Sequence, residues 1–477
     1  MSIKQLGTQS LIYGTGHVVA RSVTFLLLPL YTNIFSLEDY GVISLIYTFL
    51  GFMNVILHYG LDASLLKHYV PADNEERKRI LTNSYVSFLL TTIGFVVLMI
   101  LLRNYVSEFL FGSNLPQITF LVSGILFFDV LWAIHVLLLR AEGRPILFTA
   151  ITFLNVLSAL GLNLFFVLYL ELGIYGVLLS NIITSACIFL ATSPLILKRI
   201  SINTLSMNQW KGLMKFGCPF LFSGIFAMIL ELSDRYILRY FTNIETVGLY
   251  NAGYKLGMLM MLVVMGFNMA WQPFFLNKKK EERDYIAKVT TMVLSVLSFL
   301  WILLLIWSED LVKLQLGGVT LLGEEFWPAM KIIPIIALAY LFHALYLLQL
   351  PSIYLLEKSN WVAWIRGVGA GINILLNFLL IPKFGIMGAA SATCVSFILM
   401  ALILYFLNQK LFPIKYEWTK LSIICCSVLL IWIVINQLGD NLFYKLITSG
   451  LFPIIVIATK TIHIRKLKIL FSSSPNK

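Results

Sequence analysis

Long apolar runs separated by short polar segments make up almost the whole chain. A helix needs about 20 apolar residues to cross a hydrocarbon core of ~30 Å, so these runs can be counted as predicted spans. Fourteen runs are long enough, and they cover residues 8–35, 40–60, 80–102, 116–138, 146–170, 173–197, 215–240, 246–271, 285–307, 327–350, 359–381, 385–407, 419–437 and 442–460. The pattern predicts an all-α polytopic membrane protein with about fourteen transmembrane helices.

Composition and charge agree with this interpretation. Of the 477 residues, 59% are hydrophobic and 12% are charged, whereas soluble domains carry about 25% charged residues. Most of the Lys and Arg lie in alternate loops, such as 67–79, 198–215 and 277–288. Because Lys and Arg in short loops favour the cytoplasmic side, we expect a multi-pass protein with both termini in the cytoplasm. The net charge of +12 follows from this topology and does not imply nucleic acid.

No loop is long enough to hold a soluble catalytic domain. We therefore expect the activity to take place inside the membrane, and we expect no catalytic site. The five cysteines lack the spacing of a metal or CxxC site. We therefore expect no metal and no cofactor, although a proton or sodium gradient would be compatible with transport. The first span lacks the features of a removable signal peptide.

The chain also repeats itself. The segment "FSLEDYGVISLIYTFLG" (35–51) matches "TNIETVGLYNAGYKLG" (242–257), and 162–181 matches 376–393 with both Gly-x-x-Gly pairs in register. A parallel repeat of six spans is typical of several transporter folds. The repeat predicts two pseudo-symmetric six-helix bundles around a central cleft, at 1–205 and 206–412, with two additional helices and a cytoplasmic tail at 413–477.

Several charged side chains lie deep inside predicted spans, where they are costly unless they face a cavity or a partner. Arg21 is about 20 Å from either end of the first span by helical rise, and His17 and Thr24 share its helix face. Arginine matches phosphate or carboxylate oxygens and stays charged. The candidate cations for binding an anionic head group are Arg21, Arg235, Lys255 and Arg366.

The other polar residues of the spans have less specific interpretations. Asn251 and Asn373, with His17 and Thr24, are candidate polar groups of the cleft, and Glu231, Asp234 and Asp129 are candidate proton or sodium sites. Glu231 is four residues before Arg235 and at a similar depth to Lys255, so a purely structural pair with either cation is an open alternative.

The segments "ARSVTFLLLPLYTNIFSLEDYGVISLIYTFLG" (20–51) and "SDRYILRYFTNIETVGLYNAGYKLG" (233–257) resemble the polysaccharide-transport branch of the multidrug/oligosaccharidyl-lipid/polysaccharide superfamily, which contains the O-antigen and exopolysaccharide flippases. The resemblance implies alternating access by two six-helix lobes, with a polyprenyl-pyrophosphate-linked oligosaccharide as substrate, the lipid bilayer as environment and polysaccharide polymerase machinery as a possible partner. It places Arg21 at a basic position of span one, and Asp234, Arg235 and Lys255 in the motif of spans seven and eight. Arg366 matches no motif of the family.

Three other functions compete with this one. The two C-terminal helices are similar to those of fourteen-span lipid II flippases. A multidrug or cation antiporter of the same superfamily would have acidic residues dominating its cleft, which Arg21 and Arg366 argue against. A membrane-embedded glycan polymerase or ligase would carry a long outer loop or an Asp-x-Asp pair, and the sequence has neither.

Overall fold

The structure, a computed structural model, describes residues 25–461 except 112–114, 277–282, 357, 359 and 439–440. Its helices, numbered in chain order, are α1 (Phe25–Ile34), α2 (Leu37–His58), α3 (Leu61–Tyr69), α4 (Asn74–Leu101), α5 (Arg103–Phe111), α6 (Pro116–Ala141), α7 (Pro145–Asn163), α8 (Gly173–Leu197), α9 (Met207–Phe241), α10 (Ile244–Gly257), α11 (Leu259–Leu276), α12 (Arg283–Lys313), α13 (Ile333–Leu355), α14 (Asn360–Leu411), α15 (Trp418–Leu438) and α16 (Leu442–Ala458).

The remaining elements are short. A π-helical turn (Leu164–Tyr169) continues α7, 3-10 segments cover Ile202–Thr204 and Glu324–Ile332, and β1 (Gln315–Leu316) pairs with β2 (Val319–Thr320) in an antiparallel hairpin.

The predicted all-α membrane fold is confirmed. Within the described ranges, ten helices are long and apolar enough to cross a membrane, and up to eleven if the bent pair Ile244–Gly257 and Leu259–Met269 is one span. The count of fourteen stays a prediction, because most of the first span lies outside the described residues and α16 has only 17 residues.

The two Gly-x-x-Gly pairs of the predicted repeat have the same geometry. Gly173 and Gly385 lie in the left-handed region, with φ of 56° and 54°, and Gly385 breaks the 52-residue α14. A β-carbon on Gly176 would lie 3.0 Å from the carbonyl oxygen of Phe166, and one on Gly388 would lie 2.5 Å from that of Leu380. In each copy, the first glycine turns the chain and the second lets the next helix pack closely against the preceding one.

Helix contacts divide the chain into two compact units. Unit 1 comprises Met1–Ala252 and Arg366–Ala392, and unit 2 comprises Gly253–Ile365 and Thr393–Lys477. The predicted domain boundaries at 205 and 412 stay a prediction.

The other repeated motif brings α2 and α10 together inside unit 1. A β-carbon on Gly41 would lie 2.2 Å from the carbonyl oxygen of Ile244, and one on Gly248 would lie 2.1 Å from that of Leu37. The matching glycines therefore make reciprocal backbone contacts at the N-terminal ends of the two helices, which are the predicted outer ends.

In unit 2, the last two helices pack against α12. The ammonium group of Lys445 lies 2.6 Å from the carboxylate of Asp310, and the indole of Trp307 donates to the hydroxyl of Ser449 at 3.0 Å. The side chain of Lys445 is 10% exposed and that of Asp310 is 48% exposed, so α16 is held by an ion pair that is buried on one side only, as well as by apolar packing.

Candidate functional site

Three of the predicted site residues lie outside the described part of the chain. His17, Arg21 and Thr24 precede α1, which begins at Phe25. Their predicted roles in the cleft stay predictions.

Asp234 and Arg235 form a buried ion pair on α9 in unit 1. Their side chains are 1% and 4% exposed, and Nη1 of Arg235 lies 2.6 Å from Oδ1 of Asp234. The same Nη1 donates to the carbonyl oxygen of Glu231, the hydroxyl of Tyr250 donates to Oδ2 of Asp234, and the guanidinium lies 5.6 Å from the centre of the Tyr250 ring. Because a buried pair is tolerated only with such additional hydrogen bonds, the two charges largely satisfy each other. Whether Arg235 also binds a substrate stays a prediction.

Asn251 follows Tyr250 on α10 and contacts a group of buried tyrosines. Its amide nitrogen lies 3.5 Å from the hydroxyl of Tyr40, and the rings of Tyr40 and Tyr31 lie 6.3 Å apart. The hydroxyl of Tyr31 donates to Oδ1 of Asn163 at 2.6 Å. Unit 1 thus contains a polar interior running from α10 through α2 and α1 to α7.

Tyr47, also on α2, is 38% exposed. The amide of Asn181 on α8 donates to the Tyr47 hydroxyl at 2.6 Å. These tyrosines carry no charge that would mark them as candidates in the sequence, although Tyr47 and Asn163 are both positions of the repeat. Their recurrence in the repeat is the sequence feature that could have identified them as candidates.

Asp129 lies on α6 and faces α8. Its Oδ1 accepts hydrogen bonds from the hydroxyl of Ser185 at 2.5 Å and from the indole of Trp132 at 3.2 Å. Among the residues that the structure describes, no cationic group lies within 4.0 Å of this carboxylate. Asp129 therefore differs from Asp234, since its hydrogen-bond donors are neutral.

Arg366, on the first half of α14, faces α9 within unit 1. Its Nη1 donates to the hydroxyl of Ser223 at 3.3 Å, and the side chain is half-buried. No described carboxylate lies within salt-bridge distance of this guanidinium. Of the candidate cations in unit 1 whose surroundings are described, Arg366 is the one without a carboxylate at its side.

The polar stripe of α14 continues beyond Arg366. Oδ1 of Asn373 accepts from the hydroxyl of Ser233 at 3.3 Å and from Nδ2 of Asn377 at 3.0 Å. Both asparagines are fully buried, and Nδ2 of Asn373 and Oδ1 of Asn377 have no hydrogen-bond partner among the described residues. Asn373 therefore packs against α9, on the side of α14 that also carries Arg366.

Lys255 and Glu231 are half-buried residues of α10 and α9. Lys255 belongs to unit 2 and Glu231 to unit 1, and their predicted roles stay predictions. Within the described ranges, no group of three or more His, Cys, Asp or Glu side chains is arranged to hold a metal ion. The expectation of no resident metal or cofactor also stays a prediction.

Residues 6–279 match the family model described as polysaccharide biosynthesis protein. Among curated proteins, an uncharacterized membrane protein of Methanocaldococcus jannaschii is 22% identical over 493 aligned positions, which cover 96% of each chain. This relative spans the same length but its name describes no activity.

Two solved structures show the same fold. The lipid II flippase MurJ in an inward closed conformation matches with a TM-score of 0.79 and 16% identity, over 96% of this chain and 99% of that one. An inward-facing multidrug resistance transporter of the MATE family in the MOP superfamily matches with a TM-score of 0.66 and 12% identity, over 82% and 94%.

Proposed function

The chain belongs to the polysaccharide biosynthesis protein family, and we propose that it flips polyprenyl-pyrophosphate-linked oligosaccharide units from the inner to the outer leaflet. Its family and its fold are those of superfamily transporters and flippases, not of enzymes. The predicted superfamily membership is thereby confirmed. We propose more specifically that the transported glycan is a building unit of an O-antigen, a capsule or an exopolysaccharide.

The observation that carries the proposal is the environment of Arg366. A guanidinium at membrane depth remains charged and is costly unless an anion or a polar cavity receives it. Arg366 has a serine hydroxyl at 3.3 Å and no described carboxylate nearby, whereas Arg235 is bound by Asp234. We therefore assign pyrophosphate binding to Arg366 and a mainly structural role to Arg235. Arg21 and Lys255 stay candidate cations that the sequence alone supports.

Alternating access supplies the movement in this proposal. With the cleft open to the cytoplasm, the cations bind the pyrophosphate, the glycan occupies the hydrated cleft and the lipid tail stays in the bilayer. The reciprocal contacts of Gly41 and Gly248 would hold the predicted outer ends of α2 and α10 closed in that state. Opening to the outside then requires these backbone contacts to separate.

An ion gradient would give the movement its direction, because a ligand shifts a conformational equilibrium only through different affinities for the two states. Of the three predicted coupling carboxylates, Asp129 supports this role best, since its partners in the structure are a hydroxyl and an indole. Glu231 and Asp234 remain candidates. A proton or a sodium ion would serve equally well.

The multi-pass membrane location is established by the apolar helices and the membrane relatives. We propose the bacterial cytoplasmic membrane, cytoplasmic termini and a functional partnership with polysaccharide polymerase machinery. The second candidate function is lipid II flipping. It is supported by the fold, which matches a structure named lipid II flippase with a TM-score of 0.79.

Reconstituted transport tests the proposal. The full-length protein is placed in proteoliposomes that contain a polyprenyl-pyrophosphate-linked oligosaccharide with a fluorescent sugar, and a membrane-impermeant quencher reports its leaflet. We expect faster exchange than in protein-free vesicles or in vesicles with the variant Arg366→Ala. Equal rates in all three samples would contradict the proposal. Acceleration of lipid II alone would favour the second candidate, and export of ethidium alone would favour an antiporter.

A further inference from the structure

Arg239, near the predicted outer end of α9, is a cation that the proposed function does not use. Its Nη1 donates to the carbonyl oxygen of Phe109 at 2.7 Å, and its Nη2 donates to that of Glu108 at 3.3 Å. Both carbonyl groups belong to the last turn of α5, a helix of nine residues that follows α4. The guanidinium therefore joins α9, in the second predicted repeat, to a helix of the first.

The two carbonyl groups are acceptors of a kind that favours a cation. The last four carbonyl groups of an α-helix have no partner inside the helix, and the negative end of the helix dipole lies there. A guanidinium stays charged and donates through several N–H groups in one plane. Arg239 thus caps α5 with two charge-assisted hydrogen bonds, which are stronger than bonds between neutral groups.

The capped helix α5 is fixed to the first predicted repeat. It packs against α2, α4 and α6, and Ser107, Leu110 and Phe111 are buried. Tyr105 and Phe109, four residues apart on the opposite face, are largely exposed. Aromatic side chains of this kind are typical of the membrane–water interface, where the predicted outer end of α4 lies. We therefore expect α5 to stay with α2, α4 and α6 when α9 moves.

A second side chain of α9 makes the same type of contact one turn earlier. The hydroxyl of Tyr236 donates to the carbonyl oxygen of Leu45 on α2 at 3.2 Å. Tyr236 and Arg239 are three residues apart and therefore share one face of α9. Main-chain oxygens of the first predicted repeat thus hold the outer end of α9 at two successive turns.

The outer end of α9 is coupled to the closed contact between α2 and α10. Two residues separate the end of α9 at Phe241 from the start of α10 at Ile244. Ile244 and Gly248 then make the close backbone contacts with α2. Because opening to the outside separates these contacts, it also draws the end of α9 away from α5.

From this geometry we infer that Arg239 and Tyr236 form a latch that holds the outer end of the transporter closed. Their hydrogen bonds to α5 and α2 form in the closed state and break when the cleft opens to the outside. The inference rests on the alternating access of the proposed function and adds residues that set its equilibrium. Since the closed state alone contains these bonds, removing them shifts the protein toward the outward-open state, whatever the substrate.

Thiol modification measures this equilibrium. Ser44 on α2 is buried, and it lies one turn from Gly41 toward the middle of the helix. The variant Ser44→Cys therefore places a thiol of similar size behind the latch. The full-length protein is expressed in bacterial spheroplasts, a membrane-impermeant maleimide is added outside, and mass spectrometry follows the labelling of position 44. When opening and closing are faster than labelling, the rate is proportional to the outward-open population.

In the Ser44→Cys protein, Arg239→Gln should raise the labelling rate about tenfold or more, which is the factor that corresponds to the loss of hydrogen bonds from a charged group. Tyr236→Phe removes one neutral hydrogen bond and should raise the rate about fivefold. Arg239→Lys retains the charge at the end of α5 but has a single donor nitrogen, so its rate should lie between the two. If Arg239→Gln does not accumulate, Arg239→Lys and Tyr236→Phe decide in the same way.

Two controls separate the latch from a general loosening of the fold. Arg103→Gln removes an exposed cation from the other end of α5 and should leave the rate unchanged. Native Cys394 is buried on α14, and its labelling should stay unchanged in every variant. An unchanged rate at position 44 in Arg239→Gln would overturn the inference, and so would an equal increase at Cys394 or in Arg103→Gln. The expected labelling in a protein that flips no lipid-linked glycan would contradict only the proposed substrate.

Discussion

Two arginines at membrane depth in unit 1, Arg235 and Arg366, have opposite environments. Arg235 is 3% exposed and is held by a carboxylate, a carbonyl and an aromatic ring. Arg366 is half-buried and has a serine hydroxyl at 3.3 Å. The same residue type therefore serves a folding role at one position and is available for an anion at the other, and its neighbours decide which.

The largest expected effect is loss of the Arg235 partner. Asp234→Ala leaves a buried guanidinium without its carboxylate, which costs about 3–5 kcal/mol of unfolding free energy. This is a large part of the ~5–15 kcal/mol that stabilises a typical protein. Thermal unfolding in detergent measures the loss. The double variant Asp234→Leu with Arg235→Met should recover most of it, since the apolar pair needs no charge partner. Equal destabilisation in the single and double variants would contradict the structural role.

A carboxylate placed beside Arg366 should give it the environment of Arg235. In Ser223→Asp, the new carboxylate replaces the hydroxyl that accepts a hydrogen bond from Arg366. It therefore competes with an anionic substrate for the guanidinium. We expect the transport rate to fall about tenfold or more, because the hydrogen bond between the new carboxylate and Arg366 contributes ~1.5–3 kcal/mol that a substrate must overcome. Thermal stability should stay unchanged. The control is Ser223→Asn, which has a similar volume and no charge. Full transport by Ser223→Asp would show that Arg366 does not bind the substrate.

A smaller effect is expected from Tyr250→Phe, which removes the hydroxyl that donates to Asp234 but retains the ring. Hydrogen bonds to charged groups contribute about 1.5–3 kcal/mol at most, so the unfolding midpoint should drop by less than in Asp234→Ala. Tyr444→Phe, which is 38% exposed before substitution, is the matched control. A loss as large as that of Asp234→Ala would mean that the hydroxyl, and not the ion pair, dominates the cluster.

The smallest effect concerns the ion pair of Glu417 and Lys420, whose side chains are partly exposed, unlike those of Asp234 and Arg235. Burial acts to raise the pKa of the Glu417 carboxyl, but the hydrogen bonds from Lys420 and Thr291 outweigh it and the pKa is lowered. A lowered pKa stabilises the fold above the carboxyl's ordinary range, and this contribution is lost as pH falls through the folded-state value. Glu417→Gln should therefore remove part of the stability difference between pH 7 and pH 4, by ~0.2–1 kcal/mol. An unchanged pH dependence would contradict this.

The sequence predicted the all-α membrane fold because apolar runs and loop charges are local properties. It also located the repeat, and the glycines at 173 and 385 have the matching backbone conformation that the repeat implies. The pairing of Asp234 with Arg235 does not follow from helix geometry, since side chains three or four residues apart are the ones that usually meet on a helix. The long arginine side chain folds back to its neighbouring carboxylate and to the Glu231 carbonyl instead.

The central claim is that Arg366 binds the anionic group and Arg235 does not. Its most direct test is the affinity of purified variants for a fluorescent polyprenyl pyrophosphate. We predict that Arg366→Ala weakens binding about tenfold or more, from the loss of a charged hydrogen bond, and that Arg366→Lys retains part of the affinity. The double variant Asp234→Leu with Arg235→Met should bind as the unmodified protein does. Unchanged affinity in Arg366→Ala, together with loss of binding in the double variant, would contradict the claim.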